Sequence, residues 1–167
     1  MPARLIISDA NILIDMEACG LLEEMFALEY EFAVPDILFA EELKETASYL
    51  SNMGLLIREL GEEGVRISER LINRYRERKV SRNDLFVLAL AMENECMLLT
   101  GDGDLKSISE EENIDVHGTI WLMEQLFTTG TINIARVESA YASMKTQGSR
   151  LPWGDVDKQM KRFRKIN

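Results

Sequence analysis

Four acidic side chains stand where their types and spacing could do hydrolytic chemistry: Asp9, Glu42, Asp84 and Asp102. Asp9 directly follows the apolar run RLIIS, and Asp102 comes two residues after MLLT. Short apolar runs of this kind read as strands, which puts both acids at the carboxyl edge of a parallel sheet, where open α/β sheets bind ligands. Asp84 opens a helix in SRNDLFVLALA that is apolar enough to require burial. Glu42 lies in DILFAEELKE, where a rotation of about 100° per residue groups Phe39, Leu43, Thr46, Ala47 and Leu50 into a buried stripe. On that geometry Glu42 sits at the margin of the stripe and Glu41 on the far, solvated side. Four carboxylates in one pocket repel one another unless a divalent cation neutralises them, and oxygen-only donors suit Mg²⁺ or Mn²⁺. Such an ion could orient a water, lower its pKa and stabilise charge developing on a phosphodiester.

Each acid also has a purely structural alternative. Asp9 and Asp102 resemble helix N-caps, Ser81 with Asp84 reads as a capping-box variant, and Glu42 could pair with a lysine. Composition narrows the chemistry further. The only histidine, His117, excludes mechanisms needing two imidazoles, and at a strand end it reads as a structural hydrogen-bonding group. The two cysteines, Cys19 and Cys96, are too few for a disulfide framework and read as small core residues. A net charge of −10 argues against indiscriminate coating of duplexes, though not against a polyanion met by bound cations. With no bilayer-length apolar run and no signal core after Met1–Ala3, a cytoplasmic protein with no membrane association is expected.

The elements that must position these acids alternate. Strand-like runs at 4–8, 31–34, 55–60, 97–100 and 114–117 are separated by helical patterns at 36–53, 62–78 and 81–93. The alternation predicts an α/β fold of three layers, α/β/α, around a parallel sheet of about five strands. From Thr119 the pattern becomes helical only. An α/β core over residues 1–118 and a helical appendage over 119–167, packed on the core, are therefore expected.

At this point the residues resemble the PIN-domain ribonucleases, in a toxin-like branch with a helical C-terminal extension. ISDANILID is similar to that family's first strand and acidic motif, and VPDILFAEEL to its second strand and the helix bearing a glutamate before a leucine. SRNDLFVLALA is similar to the third acidic motif and LLTGDGDL to the Thr-x-Asp-x-Asp motif, all in order between residues 4 and 105. The resemblance implies metal ligation and catalysis by Asp9, Glu42, Asp84 and Asp102, with Asp104 as a further acid and Asn11 and Thr100 as supporting polar groups. It implies an Mg²⁺- or Mn²⁺-dependent endoribonuclease, with RNA as substrate and a small antitoxin protein as a partner. Two departures stand out: Ala10 where threonine is usual, and Gly103 where a basic residue is frequent.

Near Asp84, the basic segment RLINRYRERKVSR offers Arg74, Arg78, Lys79 and Arg82 to a nucleic-acid backbone, while its interleaved Glu69 and Glu77 make an ordinary charged helix face the alternative. Apolar helices at 36–53 and 119–128 predict a homodimer, with Met123 and Met144 as packing points for a partner. The basic end, from Lys158 to Lys165, is expected to meet nucleic acid or an acidic partner. Two other functions remain open. One is a phosphatase of the haloacid-dehalogenase type, which expects a second aspartate where this chain has Asn11, and the other a non-catalytic binding module whose acids are caps.

Overall fold

The computed structural model describes residues 4–166, without the Thr46 side chain, so the readings made for Met1–Ala3 and for Thr46 lie outside the described residues. Five strands form one fully parallel sheet: β1 (Arg4–Ser8), β2 (Tyr30–Pro35), β3 (Leu56–Arg58), β4 (Met97–Leu99) and β5 (Val116–His117). Their spatial order is β3-β2-β1-β4-β5, with Ile6 paired to both Phe32 and Met97. The chain thus builds outward from β1 to one edge, crosses back, and builds to the other edge. The reversal falls between β1 and β4.

That order, with the right-handed rule for parallel crossovers, assigns the helices to the two faces. Right-handed crossovers to the β3 side put α1 (Ala10–Ala18) and α2 (Leu22–Ala27) on one face. The return crossover puts α6 (Glu62–Arg74) and α7 (Arg82–Glu93) on the other, where α8 (Gly103–Glu111) joins them on the way to β5. α7 carries six buried residues, among them Val87, Leu88 and Ala91, and packs across β1, β2 and β4. Central strands covered on both faces read as continuous apolar runs, as RLIIS and MLL do. The edge strand β3 leaves Leu56 and Ile57 exposed.

Between β2 and β3 the chain winds through α3 (Asp36–Leu38), a π-helical turn over Phe39–Leu43, α4 (Lys44–Ala47) and α5 (Leu50–Met53). Leu43, Ala47 and Leu50 are buried as expected; Leu38 is too, while Phe39 is only partly so.

The C-terminal region is helical: α9 (Thr119–Thr128), α10 (Ile134–Thr146) and α11 (Trp153–Ile166). α9 packs on α2 and β5, α10 on α1, and the three helices on one another. Their apolar faces are spent inside the chain. Met123 and Met144 are fully buried, which removes them as docking points, and Phe127 stacks on Phe163 at 4.0 Å. The expected surplus of apolar surface on 119–128 is therefore absent. Arg162 binds Glu124 at 2.7 Å and Arg164 binds Glu138 at 3.3 Å, so part of the basic end ties α11 to its neighbours. No helix among the described residues is long and apolar enough to cross a membrane.

Candidate active site

The crevice lies where the strand order reverses, at the carboxyl ends of β1 and β4. Asp9 leaves β1 with its backbone amide donating to the Leu99 carbonyl at 3.0 Å, which fixes it against the neighbouring strand. It is also the N-cap of α1: one carboxylate oxygen accepts from the Ile12 amide at 3.0 Å. The other accepts from the Thr100 hydroxyl at 2.5 Å and the Gly101 amide at 3.3 Å. Asp9 is only 2% exposed, and burial lifts its carboxyl from 3.8 to about 6 against these hydrogen bonds, with the charge of Asp84 adding to the rise.

Thr100 connects two of the acids. Its hydroxyl donates to Asp9 and accepts from the Asp102 amide at 3.0 Å, while its own amide donates to the His117 carbonyl. Asp102 caps α8, one oxygen accepting from the Asp104 and Leu105 amides. Asp84 completes a reciprocal capping box with Ser81 at the start of α7. It is half-buried, and its carboxyl is raised by that burial and by the nearby Asp102. All three acids are thus caps, and their charges still act on one another across the crevice.

Glu42 behaves differently from the rotational argument. The Lys44 amide donates to the Phe39 carbonyl, an i→i+5 bond that opens the helix and turns each residue by less than 100°. Glu41 and Glu42 consequently lie side by side, both exposed, and both accept from the Asn83 side-chain amide at 2.9 Å. The expectation that Glu41 faces away is corrected by that turn. Asn83, adjacent to Asp84, escaped sequence reading, although it sits in the same SRND segment.

The remaining expected groups are distributed as follows. Asn11 and Asp104 are exposed on the first turns of α1 and α8. Arg74, with Arg70, pairs with the Glu112 carboxylate, whose side chain is 5% exposed, and Arg78 pairs with Glu111 at 2.8 Å. These arginines clamp α6 and the segment just after it to the end of α8, in place of the pairs expected with Glu69 and Glu77. Lys79 and Arg82 are exposed, Arg82 one residue from Asn83. His117 bonds Asp115 at 2.9 Å and stacks on Trp121. Cys19 and Cys96 are free, half-buried thiols pushed up to about 11 by burial.

As a donor set for a divalent cation, Asp9, Asp84 and Asp102 fit by chemistry: oxygen ligands only, two of them with carboxyls raised by burial and mutual repulsion that a cation would relieve. Among the described residues no three such groups stand close enough to form a ready cage, because each acid is drawn onto a helix start. Gly101 and Gly103 flank Asp102, and a side chain at either would meet nothing within 4 Å.

Three solved structures resemble the fold. VapBC2 from Rickettsia felis, solved bound to a promoter DNA fragment, aligns with a TM-score of 0.50 at 16% identity, covering 68% of this chain and 98% of that one. VapBC-1 from nontypeable Haemophilus influenzae aligns at 0.51 and 15% identity, covering 68% and 97%. A toxin-antitoxin complex from Klebsiella pneumoniae reaches 0.47 at 21% identity, covering 62% and 92%. No curated protein matches in sequence. A family model described as a PIN domain matches residues 5–165, nearly the whole chain and including the helical extension. With five parallel strands in place and four acidic motifs in order along them, the chain belongs to the PIN-domain family of nucleases.

Proposed function

We propose that the chain is an endoribonuclease that depends on Mg²⁺ or Mn²⁺, acts in the cytoplasm, and serves as the toxin of a toxin–antitoxin pair. The observation that supports this reading is electrostatic: at the switch point of the sheet the charge of Asp84 acts on the buried Asp9, and that of Asp102 on Asp84. Asp9, Asp84 and Asp102 would hold the cation, with Glu42 and Asp104 as the further acids at the rim. When bound, the cation supplies an oriented, acidified water and a counter-charge for the phosphodiester under attack. Thr100 fixes Asp9 and Asp102 relative to each other. Asn83, next to Asp84 in the chain, holds Glu41 and Glu42 alike, and Asn11 would offer an amide at the mouth of the crevice. Lys79 and Arg82 are the backbone cations left once Arg74 and Arg78 are paired.

The partners belong to the same proposal. VapBC complexes unite two proteins, and a small antitoxin for this chain, like a homodimer, would use exposed apolar residues such as Ile14, Ile37 and Tyr49. Light scattering giving a monomer mass at tens of micromolar would count against the dimer. A non-catalytic module is the second reading, favoured by the fact that three of the acids are engaged as caps. The phosphatase reading has only Asn11 where its general acid is needed.

The test is incubation of a labelled single-stranded RNA with Mn²⁺, Mg²⁺ or EDTA, comparing wild type with Asp9→Asn. Internal cleavage by wild type with either metal, lost in EDTA and in the variant, is expected. No cleavage under any condition would leave the binding module standing, and hydrolysis of a phosphomonoester with a trapped aspartyl-phosphate would revive the phosphatase.

A further inference from the structure

α9 starts at the rim of the crevice without a cap. Its N-cap is Gly118, which has no side-chain oxygen to offer the first-turn amides. The next residue, Thr119, is 2% exposed, yet its hydroxyl has no hydrogen-bond partner. A buried hydroxyl left unpaired is uncommon and calls for an explanation. Thr119 lines a cleft of about 690 Å³ that runs from the Gly101–Gly103 turn past His117 and Trp121 to Arg150 and Lys158. The cleft and the carboxylate crevice share Asp102, so an extended chain lying in one continues into the other.

The charges in the cleft are uneven in their engagement. Glu124 is neutralised by Arg162. Lys106, Arg150 and Lys158 form no ion pair among the described residues, and Asp155 is the one further acid on the wall beside Asp102. The Trp121 ring, half-buried and stacked on His117 at 5.1 Å, supplies an aromatic surface. Uncapped amides, a buried orphaned hydroxyl behind them and three unpaired cations border one cleft, a combination that suits an anion. An aromatic wall next to them suits a base.

We propose that this cleft binds a phosphate of the RNA strand beside the one cleaved, on the α9 amides and the Thr119 hydroxyl, with Lys106, Arg150 and Lys158 neutralising it and a base against Trp121. The inference deepens the endoribonuclease reading, which supplies the RNA. It would make the helical extension, through Arg150 and Lys158, part of substrate binding.

The test measures binding apart from cleavage: anisotropy of a fluorescein-labelled oligouridylate in EDTA. Thr119→Val, nearly the same shape, should weaken binding on the order of fivefold, the effect of one hydrogen bond, with an unchanged or higher melting temperature. Arg150→Gln with Lys158→Gln should reduce the salt slope by about 0.7, for the loss of one single-strand phosphate contact. Wild-type affinity and slope in both variants would overturn the proposal even if Mn²⁺-dependent cleavage were found. Weakened binding in both, with no cleavage by wild type, would instead sink the nuclease reading and leave the cleft. If the substitutions weaken a glutamate-rich peptide and not the oligouridylate, the cleft is a protein-docking surface and the proposal fails.

Discussion

Replacing Asp9 by asparagine should stabilise the metal-free protein, increasingly so as the pH rises from about 4 to about 6. A carboxyl lifted from 3.8 to about 6 makes the ionised folded state about 3 kcal/mol less stable, relative to the unfolded chain, than the protonated one. The sign follows from proton uptake. Between about pH 4 and 6 the folded state holds the proton that the unfolded chain has lost, so stability falls as pH rises through this window and the penalty is constant above it. Asparagine removes the charge but not the geometry. Its oxygen can still accept from the Ile12 amide and its amide can donate to the Thr100 hydroxyl, while the Gly101 bond and the Thr100 donor lose their acceptor. That loss costs about 1 kcal/mol, leaving a net gain of about 2 kcal/mol at pH 8. For a chain of this length the gain is roughly 4–8 °C in melting temperature. Thermal unfolding in EDTA from pH 4.5 to 8 reads it directly: the difference between variant and wild type should be near zero at the acid end, widen up to about pH 6 and stay constant above it. Mn²⁺ at about 100 times its Kd adds about 2.7 kcal/mol to wild type alone, so the order of the two should reverse. A difference that does not change with pH, or a variant less stable at pH 8, would refute the electrostatic reasoning.

Two further outcomes are expected. Because the π-turn sets Glu41 and Glu42 side by side on the Asn83 amide, Glu41→Gln and Glu42→Gln should weaken the Mn²⁺-induced thermal shift to a similar degree, by about tenfold in apparent affinity; a loss in Glu42→Gln alone would mean that the two carboxylates are still told apart by the ion. Glu112→Gln should lower stability by about 1–2 kcal/mol at pH 7 in urea unfolding, a figure reduced for the half-exposed arginines it binds. Burial works to raise the Glu112 carboxyl, but hydrogen bonds from Tyr75 and Arg70 outweigh it and hold it low. Its contribution is therefore present above the usual carboxylate range and lost as pH falls through its lowered folded value, so the difference from wild type should shrink with acidification; a difference that does not change with pH would assign it to packing.

The sheet was legible because its strands are short apolar runs between helical patterns. RLIIS coincides with β1, while LLIREL and IDVH shrink to Leu56–Arg58 and Val116–His117, the outer strands that pair on one side only. α1 and α2 went unread as helices. The first is apolar nearly all round, and the second starts at Leu21 without a capping side chain. Asp9, Asp84 and Asp102 could be placed at helix starts from local spacing alone, since a cap is a local device. The π-turn could not, because one widened turn leaves Leu43, Ala47 and Leu50 in the stripe and moves only the two glutamates just before them. Pairings across the fold were equally invisible: Arg78 meets Glu111, 33 residues away, and no helical period points to it. The cleft under the extension escaped for the same reason, its walls being drawn from α8, β5, α9 and α11.

The single hydroxyl of Thr100 has a consequence for how this site can change over time. It is bonded to Asp9 and to the Asp102 amide, and the Gly101 amide adds a longer bond to Asp9, so the relative position of two acids from separate segments rests on the backbone and one hydroxyl of the turn that joins β4 to α8, and on no side chain at its glycines. Gly101 and Gly103 in that turn face open space, and a side chain added at either meets no neighbour. Anchor and variable ground thus lie side by side: new chemistry could be tried beside the acids, a cation at position 103 for instance, while the carboxylates keep their separation.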